Sequence, residues 1–294
     1  MNIIISGADG FIGGDLFEWL SKNKNAYRCI KAGRRQEDPE NDYYHVDLSD
    51  RNSALAFADK IKGSGLIIDA FVHCASVMAD AGNAKDMILL TRNIQLTENV
   101  IEIIELLGIK TIINLSSIAV YPNIDGVYDE NSVIRPSKNG DGLYGLSKFC
   151  SEELFGFYLN PLGATVTNLR VAQVYGNRMR ADRTFKIMEN EMKEHHKITV
   201  WSNGERVSNF VSVDYVIAVI RHFLHHPIND TFNTGGENLS YTELAQKIIK
   251  LNGYSNVEIC PVNKGVLAKI FINSDKLKKK LHEDIEPLPG LSEA

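Results

Sequence analysis

The 294-residue chain has only four cysteines, Cys29, Cys74, Cys150 and Cys260, and no two of them form a CxxC pair. That excludes a disulfide scaffold and paired-thiol metal motifs, and it predicts free thiols in a reducing compartment. No metal is expected. Uncharged apolar runs stay well short of the ~20 residues of a membrane span. The chain enters a strand at Asn2-Ile3-Ile4-Ile5, without the basic start and long apolar stretch of a secretion signal. A cytoplasmic location is therefore expected. Like-charge blocks are missing too, apart from Lys278-Lys279-Lys280, which reads as a solvated helix face. With a formal net charge of −5, neither nucleic acid nor a membrane surface is expected as a main partner. There is no internal repeat and no low-complexity segment.

What is present is alternation. Short apolar runs at 3–6, 27–32, 66–73, 111–116 and 165–169 read as strands, and residues 11–22, 86–107 and 143–159 carry helical periodicity. Strand–helix alternation of this kind predicts a parallel sheet covered on both faces, with right-handed crossovers. From about residue 171 the character changes. Arg178, Arg180 and Arg183 cluster, a helix is predicted at 184–193 and a strand at 198–201, and 241–251 forms an amphipathic helix capped by Ser240 or Thr242. Residues 38–42 and 123–137 read as polar loops.

Gly7-Ala8-Asp9-Gly10-Phe11-Ile12-Gly13 joins the first strand to the first helix. Glycine serves here because the turn is tight, the backbone must approach a pyrophosphate, and the helix must pack closely on the strand. The helix N-terminus then offers free N–H groups and a positive dipole to phosphate. Further on, Tyr144 and Lys148 stand four apart on a predicted helix, hence on one face. A neighbouring ammonium favours phenolate, which suits proton exchange with a substrate oxygen. Ser116-Ser117 closes a strand, where ligands of open parallel sheets bind.

The GxxGxxG spacing, with Gly10-Phe11-Ile12-Gly13, resembles the extended short-chain dehydrogenase/reductase family. The resemblance runs along nearly the whole chain. It implies Ser117, Tyr144 and Lys148 as the catalytic set. It places Gly7 to Gly13, Asp47-Leu48, His73, Ala75, Asn93 and Ser116 on the cofactor side, Asp47-Leu48 meeting the adenine. The segments 169–176, 209–214 and 232–236 match the family's substrate-lobe opening, return strand and following turn. The implied fold is a Rossmann-type doubly wound parallel sheet with a smaller α/β C-terminal lobe. The dinucleotide-binding domain would cover 1–170 with a return segment near 207–232, and the substrate lobe 171–206 and 233–294. The chain ends soon after Leu288-Pro289-Gly290, so a compact lobe is expected. The helices carrying Asn93 and Tyr144 resemble those that pair as a four-helix bundle in family homodimers.

An acidic residue at the end of the second strand binds the ribose of NAD, and arginine accommodates the 2′-phosphate of NADP. Here Gly33 holds the acidic position and Arg34-Arg35 follow, so NADP(H) is expected over NAD(H). Ile118 and Ala119 stand where 4,6-dehydratases of the family carry Asp-Glu, which removes dehydration. No second acid–base group of the 3,5-epimerase kind is found on that loop, and His195, His196, His222, His225 and His226 read as solvated. Reduction of a 4-keto-6-deoxy sugar nucleotide is the favoured expectation. The alternatives are 4-epimerisation, a reductase of a non-sugar carbonyl, and a nucleotide sensor; the intact catalytic set argues against the last. Ser76, Gln173, Arg178 and Arg206 complete the expected substrate contacts, Gln173 replacing the family's Asn and Ser208 its phosphate-binding Arg.

Overall fold

The computed structural model describes residues 1–283; the predicted end of the substrate lobe, 284–294, lies outside them. In chain order the first half runs β1 (Asn2–Ser6), α1 (Phe11–Ser21), β2 (Arg28–Gly33), β3 (Tyr43–His45), α2 (Arg51–Gly63), β4 (Ala70–His73), α3 (Met87–Leu107) and β5 (Thr111–Ser117). It continues through β6 (Gly126–Tyr128), α4 (Gly142–Leu159) and β7 (Thr165–Val171). Then come β8 (Gln173–Tyr175), α5 (Thr184–His195), β9 (Lys197–Trp201), β10 (Val207–Ser212), α6 (Val213–His225) and β11 (Asp230–Thr234). The chain closes with β12 (Glu237–Ser240), α7 (Tyr241–Leu251), β13 (Glu258–Val262), β14 (Ile270–Ile272) and α8 (Asp275–Glu283).

Two compact units result among the described residues: 1–122 with 133–171 and 216–232, and 123–132 with 172–215 and the segment from 233 onward. The first is built on a seven-stranded sheet ordered β11-β7-β5-β4-β1-β2-β3. Its pairs from β3 to β7 are parallel, as the alternation predicted. Alternate residues go to opposite faces of a strand. Ile4, Phe71, Ile112 and Val166 therefore share one face and pack with Phe57, Val100, Ile104 and Phe155 of α2, α3 and α4 in one core cluster. Ile3, Ile5, Val72 and Ile113 are equally buried on the other face, and α1 packs on β1 and β2 outside that cluster. The order steps outward in both directions from β1 and β4, which puts the carboxyl ends of those strands beside the crevice where α/β sheets bind ligands.

The second unit holds a three-stranded sheet, β12-β10-β8, and two two-stranded sheets, β13-β9 and β14-β6. Its helix α7 begins where predicted. Ser240 accepts from the Glu243 amide and Glu243 answers to the Ser240 amide, a complete capping box. The predicted loop 123–137 contains β6, paired in register with β14 about 140 positions later (Gly126 against Ile270). A three-residue strand has no local signature; only the distant partner creates it. The return segment falls partly in this unit, since β10 pairs with β8 and β12.

Candidate active site

The site is built in the first unit, at the carboxyl ends of β1, β4 and β5. Gly7 leaves β1 with φ +68°, a region that L side chains avoid. A Cβ on it would lie 2.8 Å from the Ala75 amide nitrogen at the end of β4. Gly13 packs so tightly on the Gly7 carbonyl that a Cβ there has no room. Helix α1 then starts at Gly10 without any side-chain cap, which leaves its first N–H groups free for an anion. This backbone cradle fits the pyrophosphate of a dinucleotide.

His73 ends β4, 2 % exposed, sharing a 3.0 Å hydrogen bond between its Nδ1 and the Ser6 hydroxyl. That hydroxyl also accepts from the Ala75 amide at 3.3 Å. Burial, with Lys148 nearby, pushes the imidazole down to about 3, so it is neutral. The pH consequence has a definite sign. Below about 6.5 the unfolded His73 takes a proton that the folded one refuses, so stability falls as pH falls from there, by at most about 1.4 kcal/mol per pH unit. Urea midpoints measured between pH 7 and 5 should show this slope, and His73→Asn should flatten it; an unchanged slope would remove His73 as its source.

Asn93, 6 % exposed on α3, ties the strand end to α4. Its Oδ1 accepts from the Val77 amide at 2.7 Å and the Ser76 hydroxyl at 3.3 Å, and its Nδ2 donates to Ser147 Oγ at 3.1 Å. Ser76 is therefore held beside α4. His73, Ala75, Ser76, Asn93, Ser147 and Lys148 line one small polar cavity.

On α4 the residues Tyr144, Lys148 and Glu152 form an i, i+4, i+8 stripe, and all three are buried. Lys148 donates to the Leu115 carbonyl of β5 at 2.8 Å, and its Nζ lies 5.7 Å from the Tyr144 ring centroid. Burial lowers its pKa to about 8 against the pull of Cys74 and Glu152. Tyr144 packs with Ala79, Leu89 and Ala119. Ser117 closes β5 and its Oγ accepts from the Ala119 amide at 3.1 Å, leaving its own O–H to donate elsewhere. Gly145 lets the helix press on this turn, because a Cβ there would run into the Ala119 carbonyl. Gly145→Ala should therefore cost about 1–3 kcal/mol by overpacking and lower turnover by moving Tyr144. Thermal unfolding with steady-state kinetics checks it, and an unaltered variant would mean that the turn yields freely.

Beneath the stripe lies a network the motifs did not show. Glu152 and Arg170 form a buried ion pair at 2.7 Å, side chains 3 % and 5 % exposed. Ser116 donates to Glu152, and Arg170 Nη1 donates to Tyr121 OH at 2.9 Å. Burial works against the Arg170 charge, but Glu152 outweighs it and holds the guanidinium pKa above its usual value. Ser116, grouped above with the cofactor residues, thus directs its hydroxyl into this network instead. An arginine inside an apolar strand was the available signal, since a buried guanidinium demands a carboxylate, and Glu152 four after Lys148 is that partner.

At the far edge, Arg34 is exposed and its side chain makes no hydrogen bond or ion pair among the described residues, whereas Arg35 is paired with Asp9 at 3.0 Å. Asp47 lies near Arg34 and Arg92. Its pKa is lowered, first by the Ser49 hydroxyl and more weakly by those arginines. Leu48 is buried, and its carbonyl accepts from Asn99 at 2.8 Å. In the second unit, Gln173 is half-buried on β8 opposite Phe210, and Arg178 is exposed. Arg206 donates to the Val266 carbonyl at 2.8 Å and lies over Tyr241, so that unit's own backbone holds it. Ser208 is buried on β10. Of the histidines read as solvated, His222 is instead buried at 8 %, stacked on His226 and edge-on to Phe223. Helix α6 turns that face inward. Among the described residues no group of His, Cys, Asp or Glu could hold a metal ion, and no helix is long and apolar enough to cross a membrane.

Parallel sheet, glycine cradle and buried Tyr–Lys stripe together are those of enzymes of the extended short-chain dehydrogenase/reductase class. The chain belongs to the NAD dependent epimerase/dehydratase family, whose model matches residues 3–235. It is 24% identical over 304 residues to the Bacillus subtilis (strain 168) protein named uncharacterized UDP-glucose epimerase YtcB, covering 97% of this chain and 93% of that one. It is 21% identical over 271 residues to GDP-mannose 3,5-epimerase of Arabidopsis thaliana, covering 85% of this chain and 68% of the other. The fold matches the crystal structure of UDP-glucuronic acid 4-epimerase from Bacillus cereus, in complex with UDP-glucuronic acid and NAD. The TM-score there is 0.79 at 22% identity, over 98% of this chain and 95% of that one.

Proposed function

We propose that the chain inverts C4 of a sugar nucleotide by transient oxidation and re-reduction. The observation that carries this reading is the buried Tyr144–Lys148 stripe pressed against the end of β5. It supplies one acid–base group able to serve both directions, and neither Ile118 nor Ala119 after Ser117 adds a second. A nicotinamide dinucleotide held by the Gly7–Gly13 turn supplies a hydride acceptor and donor. Tyr144 takes the proton of the C4 hydroxyl and returns it to the C4 oxygen. Ser117 donates to that oxygen, and Lys148, one N–H fixed on Leu115, stabilises the phenolate. The curated relative named as a UDP-glucose epimerase supports this chemistry, and so does the ion pairing of Arg35 with Asp9, which leaves less positive charge for a 2′-phosphate.

The second reading, NADP(H)-dependent reduction of a 4-keto-6-deoxy sugar nucleotide, is favoured by Arg34, exposed and without an ion pair beside Asp47. One experiment separates them. Purified protein is incubated with UDP-, dTDP-, GDP- and CDP-sugars and followed by proton NMR, with absorbance at the NADPH band in parallel. C4 inversion without net cofactor consumption is expected. Stoichiometric NADPH oxidation by a 4-keto sugar nucleotide, with no inversion, would establish the reductase.

The same proposal includes a cytoplasmic homodimer joined through α3 and α4. Ile88 on α3 and Leu146, Phe157 and Tyr158 on α4 are exposed apolar side chains, Phe157 at 73 %, which supports a partner on these helices. Sedimentation of wild type against Phe157→Glu tests it.

A further inference from the structure

The end of β2 lacks the carboxylate that reads an adenosine ribose, yet a carboxylate occupies that place. A Cβ built on Gly33 would collide with the Tyr43 hydroxyl and lie 2.6 Å from Asp9 Oδ2. An acidic side chain at 33 would thus be sent into the volume that Asp9, arriving from the phosphate turn, already fills. Two contacts fix Asp9 there, and a third fixes the Tyr43 hydroxyl. Tyr43 OH donates to Oδ2 at 2.5 Å, Arg35 Nε lies 3.0 Å from Oδ1, and the Arg35 amide donates to Tyr43 OH at 2.9 Å. Burial, then the bond to Asp9, pushes the Tyr43 phenol up to about 12, so it remains a donor.

We propose that Asp9 is the ribose-reading residue of this chain and selects the dinucleotide that has a free 2′-hydroxyl. A carboxylate has about four lone-pair sites, and Tyr43 and Arg35 take two, which leaves acceptors for ribose hydroxyls. A 2′-phosphate placed there brings roughly −1.5 to −2 charges beside a carboxylate, and Arg35 is already neutralised by the same group. Gly33 is then a consequence: only glycine leaves room for the substitute acid. This reverses the expectation drawn from Arg34-Arg35. It rests on the reading that the glycine turn binds a dinucleotide, and it is independent of the chemistry at C4.

Equilibrium binding of NAD⁺ and NADP⁺ to the full chain, by calorimetry without sugar, tests it. Wild type should bind NAD⁺ more tightly. Asp9→Asn and Asp9→Ser should each lower the preference for NAD⁺ over NADP⁺ by roughly tenfold or more, since a hydrogen bond to a charged group is worth that much. Arg35→Ala should weaken NAD⁺ binding less than either Asp9 variant does, because Tyr43 still holds Asp9 and Asp9 itself makes the contact. Tighter binding of NADP⁺ by wild type, or an Asp9 variant with unchanged preference, overturns the proposal. So does an Arg35→Ala chain that loses NADP⁺ alone, for Asp9 would then merely position Arg35 for a phosphate. Sugar turnover is not measured in this assay, so failure of the C4 reading leaves these results interpretable.

Discussion

A Tyr144→Phe chain should fold and bind its nucleotide ligands as the wild type does, yet turn over about 10²- to 10⁴-fold more slowly. The ring stays in its pocket with Ala79, Leu89 and Ala119, so packing is preserved and only the proton-carrying oxygen is lost. The barrier rises because the proposed reaction loses the hydroxyl that exchanges a proton with the C4 oxygen, next to Lys148 fixed on the Leu115 carbonyl. Thermal unfolding and dinucleotide affinity should be unchanged while kcat collapses. Retention of more than about a tenth of wild-type turnover would mean that another group moves the proton, and the role given to Tyr144 would have to be abandoned.

Arg170→Met is expected to have the largest effect on stability. It leaves the Glu152 carboxylate buried at 3 % exposure with the Ser116 hydroxyl as its remaining neutral donor. Removing one partner of a buried pair costs about 3–5 kcal/mol, a drop of roughly 5–10 °C in Tm for a chain of this size. Desolvation makes the cost, so a double variant, Glu152→Leu with Arg170→Met, should recover much of it. Calorimetry on the two variants decides. A single variant destabilised by less than about 1 kcal/mol would show that water reaches the carboxylate.

Much of the first unit was legible from local pattern. The predicted strands at 3–6, 111–116 and 165–169 match β1, β5 and β7 within a residue or two, because a fully buried parallel strand must be apolar on both faces. The helix from 86 appears with Asp86 as its cap, accepting from the Ile88 amide. The predicted strand at 66–73 shortens to β4, Ala70–His73, since Ile67 is 79 % exposed and its carbonyl accepts from the Asn2 side chain instead. Helix α2 escaped the reading: only Ala54, Phe57, Ala58 and Ile61 of its thirteen residues are buried, a thin apolar stripe in a polar segment.

By itself the sequence determined the parallel α/β architecture, the glycine turn and the Tyr144–Lys148 pairing, each encoded in residues within one strand–turn–helix unit or one helical turn. Tertiary structure alone decided what those residues answer to. Asp9 meets Tyr43 across 34 positions, Glu152 meets Arg170 across 18, and β6 exists only through β14. Spacing in a helix or strand is set by backbone geometry and can be read along the chain. A buried charge is governed by whichever opposite group the fold brings within reach, and no local pattern carries that information.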